Sequence, residues 1–198
     1  MEKKTRRIII VTGTPSVGKS SVANFLASKL DAVCVDLGEL VRKENLFVEV
    51  DESRGSLVAD MRKVSKRVAE IITQAEGDVV FDGHYAVDVV PVDKVSWVFV
   101  LRRNPEELKR FMEERGWVGL KLWENLACEV LDVCLYDAIG ACGVERVCEV
   151  DVTGRSVEDV VGEILGVLEG KRKCRVGVVD WLGGLEREGR LGEFLREF

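Results

Sequence analysis

The chain has 198 residues, 46% of them hydrophobic and 32% charged, with a formal net charge of −6. That is enough chain for one domain that hides roughly 70% of its unfolded surface. The acidic balance excludes a chain-wide electrostatic grip on nucleic acid, and no apolar run reaches the ~20 residues of a bilayer span, so no membrane partner is expected.

The first residues, "MEKKTRRIIIV", are basic and then apolar, as in a signal peptide. The apolar part is too short, however, and leads into a glycine-rich tract rather than a small-residue cleavage site. It reads as a buried strand stopped by glycine. "KSSVANFLASKL" follows with helical spacing, then "AVCVDL" as a second strand, "GELVRKENL" as a brief helix and "FVEVDESRGS" as an irregular acidic stretch. "LVADMRKVSKRVAEIITQA" predicts a longer amphipathic helix with Val64, Val68, Ile71 and Ile72 on one face. "DVVFDGH" is a third strand and "VSWVFVLR" a fourth, continuously apolar as suits a strand covered on both sides.

"NPEELKRFMEERG" carries clear helix signals: Asn104 as cap, Pro105 at the first position, and Gly116 as stop. "LKLWENLACEVLDVCLYDAIGACG" predicts one long helix, "RVCEVDVTG" a fifth strand, and "SVEDVVGEILGVLEG" a helix opened by Ser156. From Lys171 the tail is basic, then apolar, then a glycine-interrupted helical pattern, and it receives no assignment. Strands alternating with helices imply parallel βαβ units, hence an open α/β sheet with helices on both faces.

The join between first strand and first helix carries the chemistry. Gly13-Thr14-Pro15-Ser16-Val17-Gly18-Lys19-Ser20 satisfies G-x-x-x-x-G-K-[ST] in full. Gly13 and Gly18 permit backbone angles closed to other residues. Successive amides then curl into a concave anion nest, and the following helix points its positive end at it. Lys19 supplies a cation for the outer phosphates, and Ser20 a hydroxyl for magnesium. A chance match at a strand–turn–helix corner is the alternative, and the aliphatic strand before and amphipathic helix after weigh against it.

Four further features narrow the reading. Asp82 ends the third strand after three apolar residues, where it can hold magnesium's water shell, and His84, the one histidine, follows two residues on. Arg42, Arg102, Arg103 and Arg115 lie after strand ends or near mobile segments, where a planar guanidinium suits phosphate; singly, each is equally an exposed charge. "FVEVDESRGS" fits an acceptor-binding flap and "RGWVGLKL" a short lid, or both are plain surface loops. "DVTGRSVEDV" borders a base if it lies at the sheet's carboxyl edge, with Arg155 stacked on it.

"TGTPSVGKSS", "VDLGELVRKENL", "FDGH", "VFVLR", "EERGW" with "KLWENLACEV", and "DVTGRSVEDV" occur in order from about residue 8 to 165. In these the chain resembles the atypical adenylate kinases of archaea and the eukaryotic nucleus, also called adenylate kinase isoenzyme six or Fap-type ribosome-assembly factors. The resemblance implies a P-loop three-layer sandwich on a five-stranded parallel sheet, as one kinase domain. Its core would span about 6–170, its flap about 37–57 and its lid about 115–120, with 171–198 unplaced. It implies ATP + AMP ⇌ 2 ADP, ATP hydrolysis, and a role in maturing small-subunit ribosomal RNA through contact with a small-subunit ribosomal protein.

Residue by residue, Ser16, Gly18, Lys19, Ser20 and Ser21 match the ATP loop, with Gly13, Pro15 and Val17 completing it. Arg115 matches the lid arginine, Arg155 a basic residue near the base, and Asp82 and His84 an Asp-x-His element linked with magnesium and hydrolysis. Ser16 stands where many members have glycine.

The expected reaction is transfer from MgATP to AMP or another nucleoside monophosphate. The acceptor is already ionised, so alignment and charge neutralisation suffice. Lys19, Arg102 and Arg115 share the transition-state charge, and Arg42 grips the acceptor phosphate. Two rivals remain: an alcohol kinase using Asp36 as base, and an assembly ATPase with incidental AMP kinase activity. The six cysteines lack a Cys-x-x-Cys pair, and a single histidine is available to help, so zinc is not expected. Cys34, Cys128, Cys134 and Cys148 read as small buried apolar side chains, and the compartment as reducing and cytoplasmic.

Overall fold

The aliphatic run after Arg7 forms β1 (Ile8–Gly13), all of it buried. The computed structural model describes residues 6–52 and 55–195; residues 1–5, Ser53, Arg54 and residues 196–198 lie outside it. β1 is followed by α1 (Lys19–Leu30), β2 (Val33–Asp36) and α2 (Leu37–Lys43). Next come a hairpin of β3 (Phe47–Asp51) and β4 (Ser56–Ala59), then α3 (Met61–Gln74) and β5 (Val79–Asp82). After the short α4 (Ala86–Val89), β6 (Val95–Arg102) leads to α5 (Pro105–Glu114), α6 (Gly119–Val130) and α7 (Val133–Cys142). β7 (Val147–Asp151), α8 (Val157–Leu168), α9 (Trp181–Arg187) and α10 (Leu191–Phe194) complete the described chain.

The main sheet has five strands in the order β2-β5-β1-β6-β7. Every pairing in it is parallel. Alternation along β1 sends Ile8 and Ile10 to one face, where Val64, Val68 and Ile72 of α3 and Leu135 and Ala138 of α7 pack. Ile9 and Val11 point the other way, against Val22 and Leu26 of α1, Leu126 of α6 and Ile164 of α8. Strands so covered have no polar face, which is why β5 and β6 are almost unbroken in hydrophobicity. β1 lies at the centre, and the chain turns from it towards one edge and from β6 towards the other. The crevice at their carboxyl ends is therefore the topological switch point.

The acidic stretch is not irregular: β3 and β4 pair antiparallel. Its period-two valines, Val48 and Val50, are exposed and interleaved with carboxylates, so an alternation that marks a strand lacks the buried face that normally gives it away. Leu57–Ala59, assigned by pattern to the following helix, belong to β4. That helix starts at Met61, where the Asp60 carboxylate accepts from the Lys63 amide. The long helix after Gly119 is two. Asp132 takes a left-handed conformation, φ 57°, which aspartate tolerates better than most residues, and the helical ladder restarts beyond it.

The tail folds back on the body. Leu185 and Phe194 are buried in the same cluster as α1, α6 and α8. Ahead of them the segment from Cys174 runs beside β7: the Glu149 amide donates to the Arg175 carbonyl (2.8 Å) and the Val178 amide to a Glu149 carboxylate oxygen (2.7 Å). Cys148, read as a simple buried residue, is joined to Cys174 by a disulfide. The remaining cysteines, Cys34, Cys128, Cys134 and Cys142, are free.

Candidate phosphate-binding site

Gly13 ends β1 at φ 135°, with its α-carbon so close to β6 that a side chain would collide with the Leu101 carbonyl. Ser16 follows at φ 72° and Gly18 at φ 113°. Repeated left-handed residues turn successive amides inward and make the loop concave. Val17, fully buried, pins its middle to the core. Gly18 caps α1 and brings no side chain to the first amides of the helix, which leaves them to an anion. Ser16 is the one non-glycine among these turns, at an angle that costs a side chain on the order of 1 kcal/mol.

Pro15, Ser16, Gly18, Lys19, Ser20 and Ser21 line a cleft of about 220 Å³ with Arg115 and Trp117. A neighbouring cleft of about 270 Å³ runs from Ser16 and Gly18 past Arg103 and Phe111 to Arg115. Lys19 Nζ donates to the Thr14 carbonyl (3.1 Å). Burial lowers the pKa of this ammonium, opposed by the charge of Asp82. Arg115 caps the end of α5, and its Nη1 donates to Ser16 Oγ (3.1 Å). The loop residues, Lys19 and Arg115 are thus brought together.

Asp82 ends β5, level with Val11 of β1. Burial raises its pKa, while a hydrogen bond from Ser20 and the charge of Lys19 oppose that rise. A hydroxyl and a carboxylate in contact beside the nest are hard oxygen donors of the kind magnesium takes. His84 follows in a loop whose backbone is tied to β1, with Thr12 Oγ1 donating to the His84 carbonyl (3.3 Å). Burial and then Lys19 lower its pKa to about 4, so the imidazole is neutral at pH 7.

His84 lines a third hollow, about 470 Å³, together with Gly38, Val41, Arg42, Tyr85 and Lys121, closed on one side by Val50, Ser56 and Leu57 of the hairpin. Arg42 is therefore with His84 and not in the loop cleft. Asp36 caps α2, accepting from the Glu39 amide (2.9 Å), and lies level with Asp82 on the adjacent strand.

Two arginines are placed otherwise than expected. Arg102, read as sharing transition-state charge, is 1% exposed. Its Nε donates to Glu129 (2.9 Å), its Nη1 to Glu149 (2.6 Å), and its Nη2 to the Glu129 carbonyl (2.8 Å) and to Asp132. Side chains alternate along a strand, and the one at Arg102 is enclosed by α6 and β7. Its neighbour Arg103 reaches the loop instead, with Nε donating to the Val17 carbonyl (3.1 Å). Arg155, read as stacking on a base, turns back along α8 to the Asp151 and Asp159 carbonyls and to Glu163.

The residue that the motif reading missed is Glu129. It sits on the apolar stripe of α6 with Leu122, Leu126 and Val130 and is 1% exposed. One oxygen accepts from Thr14 Oγ1 of the loop (2.5 Å), the other from Arg102, from the Arg103 amide (3.0 Å) and from Trp181 Nε1 (3.2 Å). An acid in the middle of an apolar helix face was the available signal, because such a carboxylate has to be paired.

Residues 9–132 match the AAA domain family. A protein of Methanocaldococcus jannaschii named "Putative adenylate kinase" is 39% identical over 173 residues, 87% of this chain and 92% of its own. One of the same name from Methanothermobacter thermautotrophicus is 39% identical over 178 residues, 90% and 99% of the two chains. Among solved structures, shikimate kinase from Acinetobacter baumannii in complex with shikimate superposes with a TM-score of 0.63 at 19% identity, covering 85% of this chain and 97% of its own. A gluconokinase from Sinorhizobium meliloti 1021 gives 0.57 at 20% identity, covering 84% and 94%. At these identities the two structures speak for the fold alone.

Proposed function

From the premise that this chain belongs to the AAA domain family, and to the family of its archaeal adenylate kinase relatives, we propose that it is a nucleoside monophosphate kinase catalysing ATP + AMP ⇌ 2 ADP. The observation that carries this is the cleft in which the amide nest, Lys19, Ser20 and Arg115 face one another. In this reading residues 37–57 are the acceptor flap, and residues 115–120, the link from α5 and the first residues of α6, are the lid of a single kinase domain.

The outer phosphates of ATP lie in the nest against Lys19, and Arg115 approaches from the lid side. Charge developing on the transferred group is then met by fixed cations in a site the lid can close to water. Arg103, held on the loop through Val17, takes the charge-stabilising role in place of Arg102. The acceptor occupies the hollow beneath the hairpin, its phosphate towards Arg42. Its nucleophile is an ionised phosphate oxygen, so no residue has to remove a proton. Ser20 and Asp82 would hold magnesium, directly and through water. When bound, that ion neutralises phosphate charge and orients the outer phosphates.

Initial rates with MgATP and each of AMP, CMP, UMP and GMP test the reading. ADP formation that depends on AMP and is lost in Lys19→Met supports it, whereas MgATP consumption indifferent to every monophosphate refutes it. A hydrolytic side reaction at Asp82 and His84, and a part in small-subunit ribosomal RNA maturation with a ribosomal protein, belong to the same proposal and rest on the family resemblance. The alcohol-kinase reading needs Asp36 as base. Asp36→Asn should leave a monophosphate kinase most of its turnover and an alcohol kinase little.

A further inference from the structure

We infer that Glu129 is a positioning residue for the phosphate loop, and that the carboxyl-terminal segment, through Trp181, is a working part of the nucleotide site. The inference rests on the loop's being the ATP site.

Thr14 belongs to the loop, and its carbonyl holds the Lys19 ammonium. Its hydroxyl donates to one oxygen of Glu129. The other oxygen is fixed by Arg102, by the Arg103 amide and by the indole N–H of Trp181. Three donors on one oxygen set the rotation of the carboxylate and so aim the remaining oxygen at Thr14. The same carboxylate holds the backbone of Arg103, whose guanidinium reaches the loop at Val17. One buried group therefore sets the position of the loop from two sides.

The tail meets this cluster twice. Besides Trp181, the Val178 amide donates to Glu149, whose other oxygen accepts from Arg102. The disulfide to Cys148 anchors the segment just ahead of these contacts. Trp181 lines neither loop cleft, and the hydrogen bond of its N–H goes to Glu129, so the loss of that N–H acts on nucleotide through Glu129.

The test uses the full chain and three variants. Trp181→Phe keeps a ring and removes its N–H; Thr14→Val keeps the branched shape and removes the hydroxyl; the third carries both. Wild type must first bind MgATP by calorimetry; if it does not, the functional reading fails. Given binding, each single variant is expected to weaken MgATP about fivefold, the worth of one hydrogen bond. KM for ATP should rise with it while kcat changes little. The double variant should be no weaker than the worse single one, because both cut the same connection. Trp181→Phe binding MgATP within twofold of wild type, or effects that multiply in the double variant, would each overturn the inference and leave the kinase reading standing.

Discussion

Replacing Arg102 by methionine separates a structural arginine from a catalytic one. The guanidinium faces Glu129, Glu149 and Asp132, whose side chains are 1%, 0% and 28% exposed. Methionine fills much of the volume but leaves at least two carboxylates out of water without their cation. Removing one member of such a buried cluster costs about 3–5 kcal/mol. For a chain of this length 1 kcal/mol moves the melting temperature by about 2–4 °C, so a fall of about 6–20 °C is expected. Thermal unfolding followed by circular dichroism gives the shift, and Arg102→Lys, which keeps charge but not the fork, should fall between. A melting point within about 2 °C of wild type, with turnover lost, would refute the argument and return Arg102 to the phosphates.

Lys19→Met should lower kcat by about 10²–10³-fold, the usual worth of one charge-stabilising donor. The fold should not suffer, since burial already disfavours the charged ammonium; steady-state rates and melting curves on one preparation decide it. The His84 pKa is lowered in the folded chain to about 4, so the unfolded chain binds this proton more readily. Its contribution to stability is therefore whole above pH 6.5 and is lost as pH falls towards 4. Partial exposure of the ring screens part of the effect, and urea titrations should show a shallower acid limb in His84→Gln. Reducing the disulfide, which closes a separation of 26 residues, should cost about 3 kcal/mol; equal melting points with and without dithiothreitol would argue against the bond.

Much of this was legible in the residues. Parallel strands buried on both faces have no polar alternation to hide, so β1, β5 and β6 announce themselves, and the loop is fixed by glycines whose angles no other residue shares. Legibility failed where the deciding partner is remote in sequence. Nothing near Arg102 distinguishes it from Arg103; what separates them is Glu129 and Glu149, brought in by α6 and β7. The break at Asp132 is of the same kind, because helix propensity runs straight through it while the contact with Arg102 comes only from the fold. The hairpin was obscured for the opposite reason, its alternating valines lying exposed among acids. The tail offers a short helix interrupted by glycines, and its place depends on Trp181 and Val178 finding carboxylates far away in the chain.

Running the segment from Cys174 alongside β7 has a colloidal consequence. An outermost strand with free amides and carbonyls invites pairing with a second molecule, and apolar strands that stack this way precipitate. β2, at the opposite margin, is short and already partly exposed, whereas four of the five residues of β7 are buried. A chain stopped before Lys171 would bare that margin together with the pockets left by Leu185 and Phe194. Such a truncation is expected to collect in inclusion bodies rather than survive as a smaller enzyme.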